Sequence, residues 1–350
     1  MRLMFVYYSF GDAGSAQDIH HYVRAGKEFG HEVLVYGRPN PESPFNFSLD
    51  VESADALIFV FEWTTELQQG DPLDLARLLG KSPRARRIVI DCDGAYNDAL
   101  NVDGDYNHRD PAASRAWVEV CDSISDRIYQ PTLHPKRPNV RPFFFHGYDP
   151  GWERPLDFSA KEFGMVYVGH SKFRWRPMER VLRAIEPVRE RAGRLAIVGH
   201  GWDAMPVWAA PMNIEDLYYS DKDYMKKMGV EFVPPIPFEQ VIDWMSKAVF
   251  NPVIYRPLFS HLRSVTCRTF ETPAASTIPL FGLDKEYVLE IYGEPALELI
   301  LPQDHPEEKI ADFLRRPDDY ADLIMSIRRH MAEKHSYMTR LQQLAEILSE

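Results

Sequence analysis

Short apolar runs recur along the chain at 2–8, 32–36, 56–61, 87–91, 164–168, 195–198, 229–233, 248–254 and 278–281, and helical patterns lie between most of them. Runs this short suit buried strands rather than helices. Strands alternating with helices build parallel sheets by right-handed crossovers. The alternation is interrupted once. Pro131, Pro135, Pro138 and Pro142 lead into Phe143-Phe144-Phe145-His146-Gly147-Tyr148-Asp149-Pro150, after which the alternation restarts. Prolines at such spacing suit an irregular connection between two folding units. The expected fold class is therefore α/β, with two Rossmann-like doubly wound lobes, 1–145 and 146–320, facing each other across a cleft. Residues 321–350 form a C-terminal extension that reads as a long amphipathic helix.

At 350 residues the chain is long enough for two such cores, and 45% hydrophobic with 26% charged residues is the balance of a water-soluble globular protein. No apolar run is long enough to cross a bilayer, so a cytoplasmic protein is expected. Cys92, Cys121 and Cys267 lie far apart without zinc-ligand spacing. The formal charge of −12 disfavours a nucleic-acid partner, because a polyanion is held largely by bulk positive charge.

Ligands of doubly wound sheets sit at the carboxyl ends of the strands. In the first lobe these ends are Gly11 to Ser15, with Gly11, Gly14 and Ser15 as candidates for an acceptor; Glu62-Trp63; and Asp91-Cys92-Asp93-Gly94. His146, at the hinge, joins the acceptor-side candidates. Asp93 and Asp91 are the catalytic candidates, since a carboxylate buried in a cleft is held protonatable near neutrality and serves as a base. Two carboxylates in D-x-D spacing also suit a divalent metal with a diphosphate, the arrangement of single-lobed GT-A transferases. The acidic stretch 97–110 superficially resembles a calcium loop. Its glycine and distal glutamate stand at the wrong offsets, and it reads as a solvated loop.

The second lobe offers three exits that should converge on one edge of its sheet. The first is Gly169, His170, Ser171, Lys172, Arg174 and Arg176; the second Gly199, His200, Gly201 and Trp202; the third Arg268, Thr269, Phe270 and Glu271. Lysine and arginine can hold a diphosphate, and Glu271 can accept from ribose hydroxyls. The bland alternative is a solvated basic face with Glu271 paired to an arginine. Residues 266–272 read as a polar turn, and Pro273-Ala274-Ala275-Ser276 as the start of a helix with free first-turn amides. Trp175 and Trp202 are candidate stacking platforms.

These segments carry a resemblance. The order of elements is similar to that of two-lobed GT-B glycosyltransferases. RTFETPAASTIPLF (268–281) resembles the acidic segment of group-1-type sugar transferases, including the spore-maturation-protein-like branch. It is also similar to the R-x-x-E-T segment of phage DNA β-glucosyltransferases. YVGHSKFRWRPMERVLRAI (167–185), LAIVGHGW (195–202) and FFFHGYDP (143–150) resemble the family's first strand-loop-helix, second strand exit and interdomain hinge. The resemblance implies a metal-independent hexosyl transfer from a nucleotide sugar, a UDP-sugar, to an acceptor hydroxyl. It places Asp93 where the phage enzymes carry their base, and it brings the C-terminal helix back onto the first lobe. Two positions depart from the group-1 pattern: Arg263 stands where a second acid is typical, and Ser276 where glycine is usual. A non-catalytic nucleotide- or sugar-binding protein of this fold, and a GT-B-like sugar epimerase, remain alternatives.

Overall fold

The structure is a computed structural model and describes residues 1–7, 14–38, 45–62, 75–100, 102, 111–207, 209–211 and 214–350. Gly11 and most of the acidic stretch 97–110 lie outside the described residues. In chain order the first half forms β1 (Arg2–Val6), α1 (Gly14–Phe29), β2 (Glu32–Tyr36), β3 (Phe47–Ser48), β4 (Ala56–Phe61), α2 (Leu75–Lys81), β5 (Arg87–Asp91), α3 (Pro111–Ile124), β6 (Ile128–Gln130) and β7 (Val140–Pro142). The second half forms β8 (Phe163–Val168), α4 (Trp175–Ile185), β9 (Leu195–Val198), α5 (Lys222–Lys227), β10 (Val230–Val233), α6 (Val241–Ser246), β11 (Ala248–Val253), α7 (Pro257–Leu262), α8 (Cys267–Ala274), β12 (Ile278–Phe281), α9 (Lys285–Tyr292), α10 (Pro306–Arg315), α11 (Ala321–His335) and α12 (Tyr337–Ser349).

Two separate sheets result. The first has seven strands in the order β3-β2-β1-β4-β5-β6-β7, and the second has five in the order β10-β9-β8-β11-β12. Every neighbouring pair is parallel. The strand order reverses between β1 and β4 in one sheet and between β8 and β11 in the other. Such reversals open a crevice at the carboxyl edge, where ligands of this architecture bind. The α/β expectation holds. Among the described residues no helix is long and apolar enough to cross a membrane.

Strand alternation gives the first sheet two apolar faces. Leu3, Phe5, Ile58 and Val60 point to one side, packed with Ile19 and Tyr22 of α1. Met4, Val6, Leu57 and Phe59 point to the other, packed with Leu78 of α2 and Cys121 and Ile124 of α3. The α1 side is completed from the far end of the chain, by Tyr337, Leu341 and Leu344 of α12. The sequence pattern runs on through 318–348, but the helix breaks at Ser336, whose backbone is extended (φ −65°, ψ 155°). Ser336 caps α12 by accepting from the Thr339 N–H at 3.2 Å. The break turns the last helix out of the second lobe and onto the first.

The segment 266–276 differs from its sequence reading. Cys267–Ala274 is the helix itself, entered through a reciprocal capping box of Thr266 and Thr269, with the Thr266 N–H on Thr269 Oγ1 at 3.0 Å. Arg268 and Glu271 are therefore helical, and the first-turn amides are partly capped. Pro273 lies in the last turn, and the chain leaves the helix at Ala275 with extended backbone. Proline favours a first turn but is tolerated this close to an end, where few helical bonds remain to be lost.

Leu341 has no solvent exposure and sits in the first-lobe core. Leu341→Ala is expected to lower stability by roughly 2–5 kcal/mol in denaturant titration. The loss should appear in the transition of the first lobe, although the residue lies nine positions before residue 350.

Candidate active site

The carboxyl edge of the second sheet is built by backbone stitching. Gly199 follows β9, and a Cβ there would lie 2.4 Å from the Gly169 carbonyl oxygen after β8. Only glycine allows the two exits to approach so closely. The Ser171 N–H donates to the His200 carbonyl at 2.9 Å, and the Trp202 indole N–H donates to the Gly169 carbonyl at 2.7 Å. The first two expected loops thus converge. Trp202 is wholly buried and Trp175 is a core residue beside Met178 and Tyr224, so neither is a stacking platform. Ser171 is likewise buried and serves as a backbone hub.

What this scaffold presents is positive charge. Arg174, the residue entering α4, donates from Nη1 to His170 Nδ1 at 2.9 Å and to the Lys172 carbonyl at 3.2 Å. Burial holds His170 well below the usual histidine range, and Arg174, Lys172, Arg256 and His200 push it further down. His170 is therefore neutral among cations. Arg176 stands exposed on the first turn of α4. Arg256, at the exit of β11, was missed in the sequence; its only signal was its place after an apolar run. Its guanidinium lies over the rings of Phe173 at 4.6 Å and Phe259 at 5.0 Å. Phe173 adopts a left-handed backbone (φ +60°), its N–H bound to the Leu217 carbonyl at 2.6 Å. A bulky residue in that region is a genuine outlier, and here it sets an aromatic plate under an arginine.

On α8, Arg268 Nη1 lies 2.7 Å from Glu271 Oε2, one turn along the same helix. Glu271 is buried, while Arg268 keeps 19% of its side chain exposed. Gln17 of α1 approaches Glu271 Oε1 at 3.5 Å from the first lobe. Thr269 and Phe270 belong elsewhere. Thr269 joins the buried hydroxyls of Tyr255 and Tyr287, and Phe270 is core, so neither is a ligand contact. Arg263, at the end of α7, is left-handed (φ +52°) and pairs with Glu286 of α9.

Across from this edge, the two catalytic candidates separate. Asp91 is fully buried, and both its oxygens are occupied, Oδ1 by the Ala95 N–H at 2.9 Å and Oδ2 by the Tyr96 N–H and Gln130 Nε2 at 2.8 Å. Burial raises its pKa to about 6, against those hydrogen bonds. It caps the turn and is closed to substrate and metal alike, which overturns both the base and the D-x-D readings for this residue. Among the described residues no group of three or more His, Cys, Asp or Glu is placed to hold a metal. Asp93 is half-buried on the same turn. The following Gly94 (φ +70°) comes so near α7 that a Cβ would lie 2.6 Å from Leu262 Cδ1. Asp93 thus stands where the two lobes meet.

Gly14 and Ser15 open α1. Glu62, after β4, accepts from the Tyr7 hydroxyl at 2.9 Å. His146 is buried on the hinge with Nδ1 2.8 Å from Asp18 of α1. Burial is the largest influence and lowers its pKa, but the charge and hydrogen bond of Asp18, with Glu62 and Glu271, outweigh it and the pKa is raised. Asp18 was not singled out in the sequence, since one acid in an amphipathic helix reads as surface.

Residues 176–346 match the family model described as glycosyl transferase-like. No curated protein sequence matches the chain. Among solved structures it is similar to an α-glucosyltransferase in complex with UDP-glucose and DNA containing an abasic site, at TM-score 0.68 and 13% identity over 100% of this chain and 99% of that one. It is also similar to T4 phage β-glucosyltransferase, at 0.57 and 13% over 99% of each chain. T4 phage BGT in complex with UDP and Mn2+ aligns at 0.62 and 13% over the whole of both. These likenesses establish the GT-B fold.

The Asp18–His146 pair carries a signed pH dependence. A histidine whose pKa is raised on folding stabilises the protein fully below its unfolded value of about 6.5, and the contribution is lost as pH rises through the folded pKa. In Asp18→Asn the largest remaining influence on His146 is burial, which lowers the pKa and reverses the slope. Urea titrations from pH 5 to 9 should show the stability gap between wild type and Asp18→Asn narrowing as pH rises. A constant gap would mean that His146 is neutral in both.

Proposed function

We propose that this chain is a glycosyltransferase that binds a UDP-sugar at the carboxyl edge of its second sheet and transfers the sugar to an acceptor hydroxyl held by the first lobe. The observation that carries the reading is the cluster of Lys172, Arg174 and Arg256 around neutral His170, at the reversal between β8 and β11. Planar and mobile cations at that crevice suit a diphosphate. The family match over 176–346 and the UDP-glucose complex of a similarly folded glucosyltransferase support the same donor.

In this reading Lys172, Arg174 and Arg256 hold the diphosphate, Arg176 adds positive field at the rim, and Arg268 with Glu271 meets the sugar end of the donor. Positive charge from arginine and lysine does for the leaving group what a divalent cation does elsewhere, so no metal is required. Asp93 takes the proton of the acceptor hydroxyl. The acceptor oxygen forms its bond to the anomeric carbon as the carbon–oxygen bond to the diphosphate breaks, and UDP departs with its new charge among the cations. His146, held by Asp18, stands on the acceptor side. The acceptor is a hydroxyl compound; the overall charge of −12 works against holding it by bulk attraction if it is a polyanion.

Isothermal titration in EDTA is expected to show binding of UDP and a UDP-sugar and weaker binding of GDP- and ADP-sugars. Binding of none of them would overturn the proposal. Arg256→Ala should weaken UDP at least tenfold without lowering the melting temperature by more than a few degrees; an early-melting variant with normal affinity would make Arg256 structural. Asp93→Asn should cut turnover of the UDP-sugar roughly 10²–10⁴-fold while leaving UDP affinity unchanged.

A further inference from the structure

The hinge and the elbow between α11 and α12 line an open cavity of about 400 Å³, which the donor reading does not use. Its apolar wall is Leu133, Phe143, Phe144 and Ile347, and its polar end is Arg340, with Lys334 beside it. Pockets of this size hold small organic ligands.

Arg340 is the unusual member. It is 2% exposed, yet among the described residues none of its hydrogen bonds goes to a carboxylate. Nε donates to the His146 carbonyl at 3.3 Å, Nη1 to Gln343 Oε1 at 3.1 Å, and Nη2 to His335 Nδ1. All three acceptors are neutral: burial, with Arg340 itself, holds His335 down at about 3. The guanidinium carbon also lies 5.0 Å from the Phe144 ring centre. A guanidinium has five N–H donors, so one on each terminal nitrogen is left over. That pair matches the two oxygens of a carboxylate or phosphate. A buried cation is costly when no anion compensates it, and among the described residues the guanidinium is met by neutral acceptors, a ring face and the nearby Tyr22 and Tyr337 hydroxyls. The acids on the cavity wall do not supply the compensation. Glu350 pairs with Arg141 at 2.6 Å, and Glu346 accepts from Gln342 at 3.4 Å.

We infer that this cavity is a ligand site separate from the donor crevice, taking a small molecule that joins one carboxylate or phosphate, bound by Arg340, to an aromatic or apolar body lying on Phe143, Phe144 and Leu133. Because its walls are the hinge and the elbow that carries α12 to the first lobe, a bound molecule bridges the two connections between the lobes.

The probe is phenyl phosphate, titrated calorimetrically into the full chain with and without saturating UDP. One equivalent is expected to bind under both conditions, with phenol at least tenfold weaker. Leu133 is 45% exposed, so Leu133→Glu should fold and should weaken phenyl phosphate at least tenfold by placing an acid at the mouth. Arg340→Gln should abolish binding. Arg256→Ala, in the donor crevice, should leave it unchanged. Absence of saturable binding, equal affinity for phenol, or indifference to Leu133→Glu would each overturn the site. Competition by UDP or loss in Arg256→Ala would also do so, by placing the probe in the donor crevice. Failure of UDP to bind would count against the donor reading alone, since the phenyl phosphate titration is read without it.

Discussion

The buried carboxylate of Asp18 is the interaction on which the arrangement of the molecule depends. It belongs to α1, and it accepts at once from His146 of the hinge at 2.8 Å and from the Tyr337 hydroxyl of α12 at 2.5 Å. Three segments far apart in the chain meet on one charge. A carboxyl group with 1% exposure has lost its water and needs such donors in its place, so each segment is held by the cost of leaving the others. Around the knot the Tyr22 hydroxyl donates to the Phe145 carbonyl, and His21 stacks on the Tyr337 ring at 4.4 Å. The hinge is consequently a packed element, and the relation of one sheet edge to the other follows from it.

A second buried charge fixes α8. Arg328 of α11 donates to the carbonyls of Pro273 at 2.8 Å, Ala274 at 3.1 Å and Ala275 at 2.9 Å. The last carbonyls of a helix have no partner within it, and a cation there also answers the negative end of the dipole. The short helix that carries Arg268 and Glu271 is thus capped at its start by Thr266 and Thr269 and closed at its end by an arginine about 55 residues later. The helix that carries both side chains is thus held in place by the C-terminal region.

The legible part of the fold was the part that local chemistry decides. The runs at 32–36, 56–61, 87–91 and 195–198 are strands with those bounds, because buried parallel strands are continuous apolar segments. The exits of β8 and β9 were legible as loops that should converge, and Gly169 and Gly199 are where their backbones meet. Lys172, Arg174 and Arg176 were legible as a basic exit. Arg256 was not, since a single arginine before a proline has no pattern, and its place beside His170 comes from β11 lying next to β8. Trp202, Thr269 and Phe270 were misread because polarity and loop position do not report burial.

By itself, then, the sequence determined the class of the two sheets, the carboxyl-edge location of the candidate chemistry and the family likeness, since periodicity and glycine placement act over a few residues. Tertiary structure alone decided which of Asp91 and Asp93 is closed, where α8 begins, that Arg256 joins the cations, and that the C-terminal helix breaks at Ser336. Each of these rests on desolvation or on a hydrogen bond between distant segments. Asp91 and Asp93 are the same residue type two positions apart, and only the packing around Ala95, Tyr96 and Gln130 makes one a cap and leaves the other at the cleft.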